Sequence, residues 1–233
     1  IGFRALSDED TGNNSIGIGY YALNKQNNAS NNYNIAIGHS ACQELTSGTQ
    51  NIMIGGLAGD TLTTGSENIG IGLNALGSED TGHRNIAIGN AVLEDFNYDG
   101  NGYCTAIGFN AAMQLTGRYN TVLGAEALNA EVAGASNVSI GFQSLKVSNG
   151  GTNNTALGTQ AGLAVSTGDN NVLIGGNAGD ALTTGSNNIV IGAAAAASAV
   201  DVGNEVNLYN GSVTARFQGS ASAWSFVSDE RDK

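Results

Sequence analysis

Few side chains in this chain could do catalytic chemistry, and their spacing does not assemble them into a motif. His39 and His83 stand at unrelated positions, and neither begins a recognisable catalytic or metal-binding pattern. Carboxylates are neighbours at residues 8–10 and again at Glu79 and Asp80, where a pair could share the acid and base roles of glycoside hydrolysis. Both groups lie in corners marked by Thr-Gly, so we predict solvated turns, no enzymatic activity and no cofactor.

Metal binding and redox chemistry have no better support. The two cysteines, Cys42 and Cys104, lie at different places in the repeat of this chain, whereas a disulfide framework would need matched partners. We predict that both are reduced and buried. A calcium-binding solenoid would need an aspartate at one fixed place in every repeat. Asp60 and Asp180 match each other, but other copies carry Asn or Lys there, so no metal site is predicted.

The composition indicates a structural protein. The chain has 233 residues, of which 35 are glycine and none is proline, and 12% are charged. Its net charge of −12 would repel the phosphates of a nucleic acid, so we predict no such partner. No apolar run approaches the roughly 18 residues of a membrane span. Because the first residues already belong to the repeat, we expect the sequence to be a fragment of a longer chain.

A pentad of Asn, aliphatic, small, Ile or Leu, then Gly organises the chain. It recurs most often every 17 residues. A second glycine precedes the pentad glycine by seven residues in nine of the eleven copies, which indicates two sharp corners per coil. The pentad glycines are Gly19, Gly38, Gly55, Gly72, Gly89, Gly108, Gly124, Gly141, Gly158, Gly175 and Gly192.

Alternation within the pentad predicts a short strand with two different faces. We expect the aliphatic residues, such as Ile35 and Ile37, to fill the inside of the coil and the small residue between them, Ala36, to point outward. No pentad contains a charged residue, so we predict that a neighbouring subunit covers the outer face. The asparagine that opens nine of the pentads would form a ladder from coil to coil, or would only favour a turn.

Pentads such as residues 34–38 and 154–158, spaced by Thr-Gly corners, resemble the YadA-like head repeat of trimeric autotransporter adhesins and of bacteriophage tail fibres. The resemblance covers residues 1–197. It implies an all-β fold, a left-handed parallel β-roll or solenoid of about eleven 17-residue coils, with three chains packed side by side as a homotrimer. The residues that carry the structural repeat are typified by Asn34, Ile37, Gly38, Asn68, Ile71, Gly72, Asn188, Ile191 and Gly192.

The period is predicted to stop after Gly192. Residues 198–228 contain three alternating segments, at 204–210, 212–218 and 223–227, which predict a short C-terminal trimeric β end piece sealed by Trp224 and Phe226. Residues 228–233 resemble the opening of the intramolecular chaperone of phage tailspikes and fibres, which would begin at residues 229–233 and is otherwise absent. That resemblance implies self-cleavage between Ser228, the nucleophile, and Asp229, its partner.

We therefore expect an extracellular structural fibre of a bacteriophage virion, in the tail or another surface fibre, that attaches to the host. Its partners would be two further copies of itself, other tail proteins and a bacterial surface receptor such as a polysaccharide, without membrane insertion. A bacterial autotransporter adhesin head is the alternative, and a polysaccharide-degrading tailspike is a second one. The longest corners, residues 24–32 and 95–103, with Tyr98 and Tyr103, are the first places to search for receptor contacts.

Overall fold

The computed structural model describes residues 1–9, 14–28, 31–130 and 133–218. These residues form an all-β solenoid, and no helix among them is long and apolar enough to cross a membrane. Eleven strands have three residues each, and two longer strands follow them. The strands are β1 Ile16–Ile18, β2 Ile35–Ile37, β3 Ile52–Ile54, β4 Ile69–Ile71, β5 Ile86–Ile88, β6 Thr105–Ile107, β7 Thr121–Leu123, β8 Val138–Ile140, β9 Thr155–Leu157, β10 Val172–Ile174, β11 Ile189–Ile191, β12 Glu205–Tyr209 and β13 Thr214–Gln218.

All thirteen strands belong to one sheet, in the order of the chain. From β1 to β12 each strand pairs in parallel with the next one, so every coil adds one strand to the sheet. The predicted parallel solenoid of about eleven coils is therefore confirmed. Segments predicted at 204–210 and 212–218 are β12 and β13, which form an antiparallel pair.

The period does not stop after Gly192, contrary to the sequence-based expectation. Strand β12 pairs in parallel with β11, with Val206 opposite Ile189, which is one more step of 17 residues. A glycine pentad is absent from this coil, because Tyr209 stands where the glycine would be. The backbone register therefore continues for one coil beyond the last copy that the glycine pattern reveals.

The predicted orientation of the pentad is wrong. In every strand from β1 to β11 the middle residue is buried, and its two neighbours, which are aliphatic or threonine, are half-buried or exposed. Ala36 is fully buried, whereas Ile35 and Ile37 lie on the outside. The middle residues are small because the interior is thin. A Cβ added at Gly70 would already lie 2.5 Å from the sulfur of Met53 and 3.3 Å from the carbonyl oxygen of Ala75.

The two largest middle residues, Met53 and Leu173, lie opposite glycines. These glycines stand four residues after a pentad glycine, on the other side of the coil interior. Met53 packs over Gly59, whose added Cβ would lie 3.0 Å from the Met53 sulfur. Leu173 fills the space over Gly162 and Gly179 in the same way, at 2.6 and 2.8 Å. In five coils that opposite position, four residues after the pentad glycine, is a buried leucine, as at Leu76 and Leu128. In the coils of Met53 and Leu173, a large side chain on one side of the interior thus fills the space that a glycine leaves on the other side.

Three positions in each coil adopt the left-handed backbone conformation. Among the described residues, thirty-two that are not glycine have φ between 47° and 65°, and all of them lie five residues before, two after or four after the position of the pentad glycine. None of them is Val, Ile or Thr. A β-branched side chain is the type least tolerated at positive φ, so the left-handed conformation explains why Val, Ile and Thr do not occur at these three positions of the repeat.

The pentad glycines are needed because successive coils touch at them. Gly175 has φ of +127°, and a Cβ there would lie 2.5 Å from the carbonyl oxygen of Gly192 in the next coil. Its neighbour Gly176 has no such restriction, since its added Cβ would have no atom closer than the Thr159 carbonyl oxygen at 3.8 Å. The two adjacent glycines therefore form a matched pair for mutation.

We predict that Gly175→Ala lowers the free energy of unfolding by at least about 1–3 kcal/mol, the usual cost of a forbidden backbone conformation, with the steric overlap adding to it. Gly176→Ala should change it by less than about 0.5 kcal/mol. Thermal unfolding of both variants, followed by circular dichroism, provides the test. Equal midpoints for the two variants would contradict the close contact between coils.

Candidate functional site

The outer surface of the sheet is a stripe of aliphatic residues with three threonines among them, which we call the aliphatic face. It consists of the first and third residues of β1–β11, and Val206 and Leu208 of β12 extend it. All these residues are Ile, Leu, Val or Thr. Several of them are more than one-third exposed, including Leu123 at 48% and Leu157 at 44%. Since neighbouring strands lie about 4.8 Å apart, the stripe is on the order of 50 Å long.

Further apolar side chains flank the aliphatic face on one edge. The residue after each pentad glycine lies there, and Phe3, Leu73, Phe109 and Phe142 are all about half exposed or more. A soluble monomer rarely exposes a contiguous apolar surface of this extent. The surface therefore has the chemistry of an interface with another protein surface.

Inside the coils, asparagine side chains form the ladder that the sequence left open as one of two readings. The Asn51 backbone N–H donates to Oδ1 of Asn34 at 2.9 Å, and its Nδ2 donates to the carbonyl oxygen of Gly65 at 2.8 Å. The same bonds recur from coil to coil through Asn68, Asn137, Asn154, Asn171 and Asn188. These amides are buried, and the ladder ends where the Glu205 backbone N–H donates to Oδ1 of Asn188.

The predicted repeat residues fall into three structural classes. Asn34, Asn68 and Asn188 are fully buried members of the ladder. Ile37, Ile71 and Ile191 lie on the aliphatic face and not in the core. Gly38, Gly72 and Gly192 have φ between +131° and +143°, and each meets the carbonyl oxygen of the next coil. The repeat therefore joins coil-to-coil bonding with an outward apolar surface.

The predicted autocleavage pair, Ser228 and Asp229, lies outside the described residues, as do Trp224 and Phe226. The long corners are described except for residues 29 and 30. In the second of them, residues 95–103, the Phe96 side chain is fully buried and anchors the corner, while Tyr98 is half-buried and Tyr103 is 45% exposed.

The residues considered for catalysis are separated in the fold. His39 stacks on the Tyr20 ring with centroids 5.2 Å apart, and His83 accepts a hydrogen bond at Nδ1 from the Ser66 backbone N–H. Cys42 and Cys104 are free and buried, as predicted, and burial raises the pKa of both thiols. Within the described ranges no three His, Cys, Asp or Glu side chains are grouped to hold a metal ion.

Glu79 is not in a solvated corner, contrary to the prediction. Its side chain is fully buried at a position that Leu62 and Phe96 occupy in the neighbouring coils. Oε1 accepts a hydrogen bond from the Gly82 backbone N–H at 2.6 Å, and Oε2 has no hydrogen-bond partner among the described residues. Loss of hydration raises the pKa of the Glu79 carboxyl to about 7. Asp80 adds to this increase by charge repulsion.

The raised pKa of Glu79 predicts a specific pH dependence of stability. The folded chain holds this proton more tightly than the unfolded chain, whose pKa is near 4.5. The stabilisation that the protonated Glu79 carboxyl contributes is therefore complete below pH 4.5 and is lost as the pH rises through about 7. The free energy of unfolding falls by about 3 kcal/mol over this range. We predict that Glu79→Gln removes this part of the decline in unfolding free energy between pH 5 and pH 8, measured by urea denaturation.

The exposed carboxylate Asp95 provides the control for the lost charge. Asp95→Asn should keep the decline of the original chain between pH 5 and pH 8. If Glu79→Gln and the original chain lost stability equally over this range, the carboxyl would not be the buried titrating group.

Models of known protein families, curated proteins and solved structures were compared with this chain, and none of them matches it.

Proposed function

We propose that this chain is a structural subunit of a homotrimeric fibre that attaches a bacteriophage to its bacterial host. One observation carries the proposal: a long, uncharged, aliphatic face lies on the outside of the coil. The sequence alone predicted a neighbour beside the small middle residues. The first and third residues of each strand face outward instead, and they are more apolar than the middle residues. An outward surface of this kind supports a partner more strongly.

A second copy of the same chain is the partner whose surface fits best. Every coil of one chain presents two aliphatic residues, or one threonine and one aliphatic residue, at the same two positions of its strand. A parallel copy therefore meets it at matching levels along the whole length. Three copies around one axis would each turn their aliphatic face inward and leave their corners exposed. The threefold arrangement and the phage origin rest on the resemblance of the pentads to head repeats of that kind.

The function of such a fibre would be mechanical and multivalent. Three identical chains present three copies of each corner, and weak contacts to a host surface then combine through effective concentration. Hydrogen bonds between coils run along the whole sheet and would make the body stiff enough to hold those corners at a distance. No catalytic step is needed for this role.

The mass of the full-length protein in solution, measured by multi-angle light scattering, tests the assembly. We predict a mass of three chains. Leu157→Lys should dissociate the trimer or lower its thermal midpoint by more than 10 °C, because three ammonium groups would become buried together. In a lone chain the same substitution should cost little, since Leu157 is already 44% exposed.

Gln114→Lys is the matched control, because it adds the same charge at an exposed residue away from the aliphatic face. It should leave mass and midpoint unchanged. A monomeric original chain would contradict the assembly, and a stable dimer would contradict the threefold arrangement.

A further inference from the structure

An aromatic and cationic cluster lies on the corner beside the aliphatic face, and we call it the Tyr-Arg corner. It consists of Arg84, Tyr98, Tyr103, Arg118 and Tyr119. The Tyr103 and Tyr119 rings, from adjacent coils, are nearly parallel at 18° with centroids 5.8 Å apart. They are 45% and 46% exposed, so the pair presents a strip of ring surface to solvent.

The strip is held in place before any ligand arrives. Arg84 binds both oxygens of Glu67, at 2.8 and 3.2 Å, and its Nη1 donates to the Tyr103 hydroxyl at 2.9 Å. Tyr98 is fixed in another way, because its ring packs on the fully buried Phe96 ring at 6.5 Å. Tyrosines ordered in this way lose little conformational freedom on binding.

Arg118 differs from Arg84 because it takes part in none of the ion pairs between described residues. Its guanidinium lies over two rings, 4.9 Å from the Tyr119 centroid and 5.5 Å from the Tyr98 centroid. Within the described part of the chain, no carboxylate forms an ion pair with it and no acceptor receives a hydrogen bond from its side chain. In a chain of net charge −12, an arginine that is stacked, exposed and without an ion pair among the described residues is a feature that an anionic ligand would match.

We propose that the Tyr-Arg corner binds an acidic saccharide, with the carboxylate of one sugar on Arg118 and the C–H face of the same or the next sugar on the Tyr119 and Tyr103 rings. A guanidinium binds a carboxylate through two parallel hydrogen bonds. A tyrosine supplies a flat apolar surface for the sugar ring and a hydroxyl for its polar edge. This inference rests on the proposed attachment function and names the chemical class of its receptor.

The position of the corner suits this role. Tyr98 belongs to the protruding corner 95–103, and Tyr119 immediately precedes the ladder residue Asn120 of the next coil. The ligand would therefore touch residues from coils that the parallel sheet holds in fixed register. In a trimer, three such corners would surround the fibre, and a polysaccharide with repeated acidic sugars could engage more than one of them.

Surface plasmon resonance on the full-length protein tests the proposal with immobilised polygalacturonate, polysialic acid and hyaluronan, and with neutral dextran as the reference. We expect binding to at least one acidic polymer and none to dextran. Arg118→Ala and Tyr119→Ala should each weaken the binding roughly tenfold or more. Arg118→Lys should recover only part of the affinity, because an ammonium keeps the charge but not the planar stacking.

Lys146→Ala is the control, since it removes one cation whose partner is Glu126, outside the Tyr-Arg corner and outside both long corners. It should bind like the original chain. Absence of binding to all three acidic polymers, equal binding to dextran, or full affinity in Arg118→Ala would each overturn the proposal. Light scattering on the same samples separates the two proposals, because a trimer without saccharide binding refutes only the corner, and a monomer that binds refutes only the fibre.

Discussion

The fold depends on one constraint: every coil must form hydrogen bonds with the next coil both at its surface and in its interior. The parallel strands satisfy the first half of this requirement. Asparagine provides the hydrogen bonds in the interior. The Asn51 side chain, for example, accepts a hydrogen bond from the backbone N–H of Asn68 in the next coil and donates one to the corner carbonyl oxygen of Gly65. A buried amide left without these bonds would cost about 1–3 kcal/mol, so asparagine recurs at this position in nine of the eleven pentads.

The ladder also shows what the sequence pattern tolerates. At Cys104 the asparagine is replaced, and the ladder is interrupted between Asn85 and Asn120. The Cys104 backbone N–H still donates to Oδ1 of Asn85, and its thiol contacts the Gly117 carbonyl oxygen at 3.4 Å. The coil keeps its place because the strand pairing on either side of it is unbroken. Because the asparagine ladder and the strand pairing both connect the coils, a single copy of the repeat can lose its asparagine without disrupting the fold.

The sequence predicted the period, the strands and the class of fold because glycines and asparagines are fixed by contact between coils. It misled on which side of each strand faces inward, since both sides of the strand are uncharged. The pairing of a large middle residue with a glycine in the same coil, Met53 with Gly59 and Leu173 with Gly179, indicates that the middle residue faces the interior. Those pairs lie in contact across the interior, so the middle residue had to point inward.

Three other features could not be predicted from residue types alone: the burial of Glu79, the extra coil at β12 and the Tyr-Arg corner. Glu79 looks like any charged residue in a corner, and only its place in a column of Leu62 and Phe96 indicates burial. The extra coil at β12 keeps the register with Tyr209 in place of glycine, so a search for the pentad misses it. The Tyr-Arg corner joins residues 84, 98, 103, 118 and 119, whose proximity follows from coil stacking and not from their order in sequence.

Amide hydrogen exchange, read residue by residue, tests the central claim most directly. The backbone N–H groups of Asn51, Asn68, Asn154, Asn171 and Asn188 each donate to a buried side-chain oxygen. We predict that they exchange as slowly as the strand amides beside them, in one cooperative unit, because the coils can open only together. Exchange as fast as that of the exposed corner around Asn97 would contradict an asparagine ladder inside the solenoid.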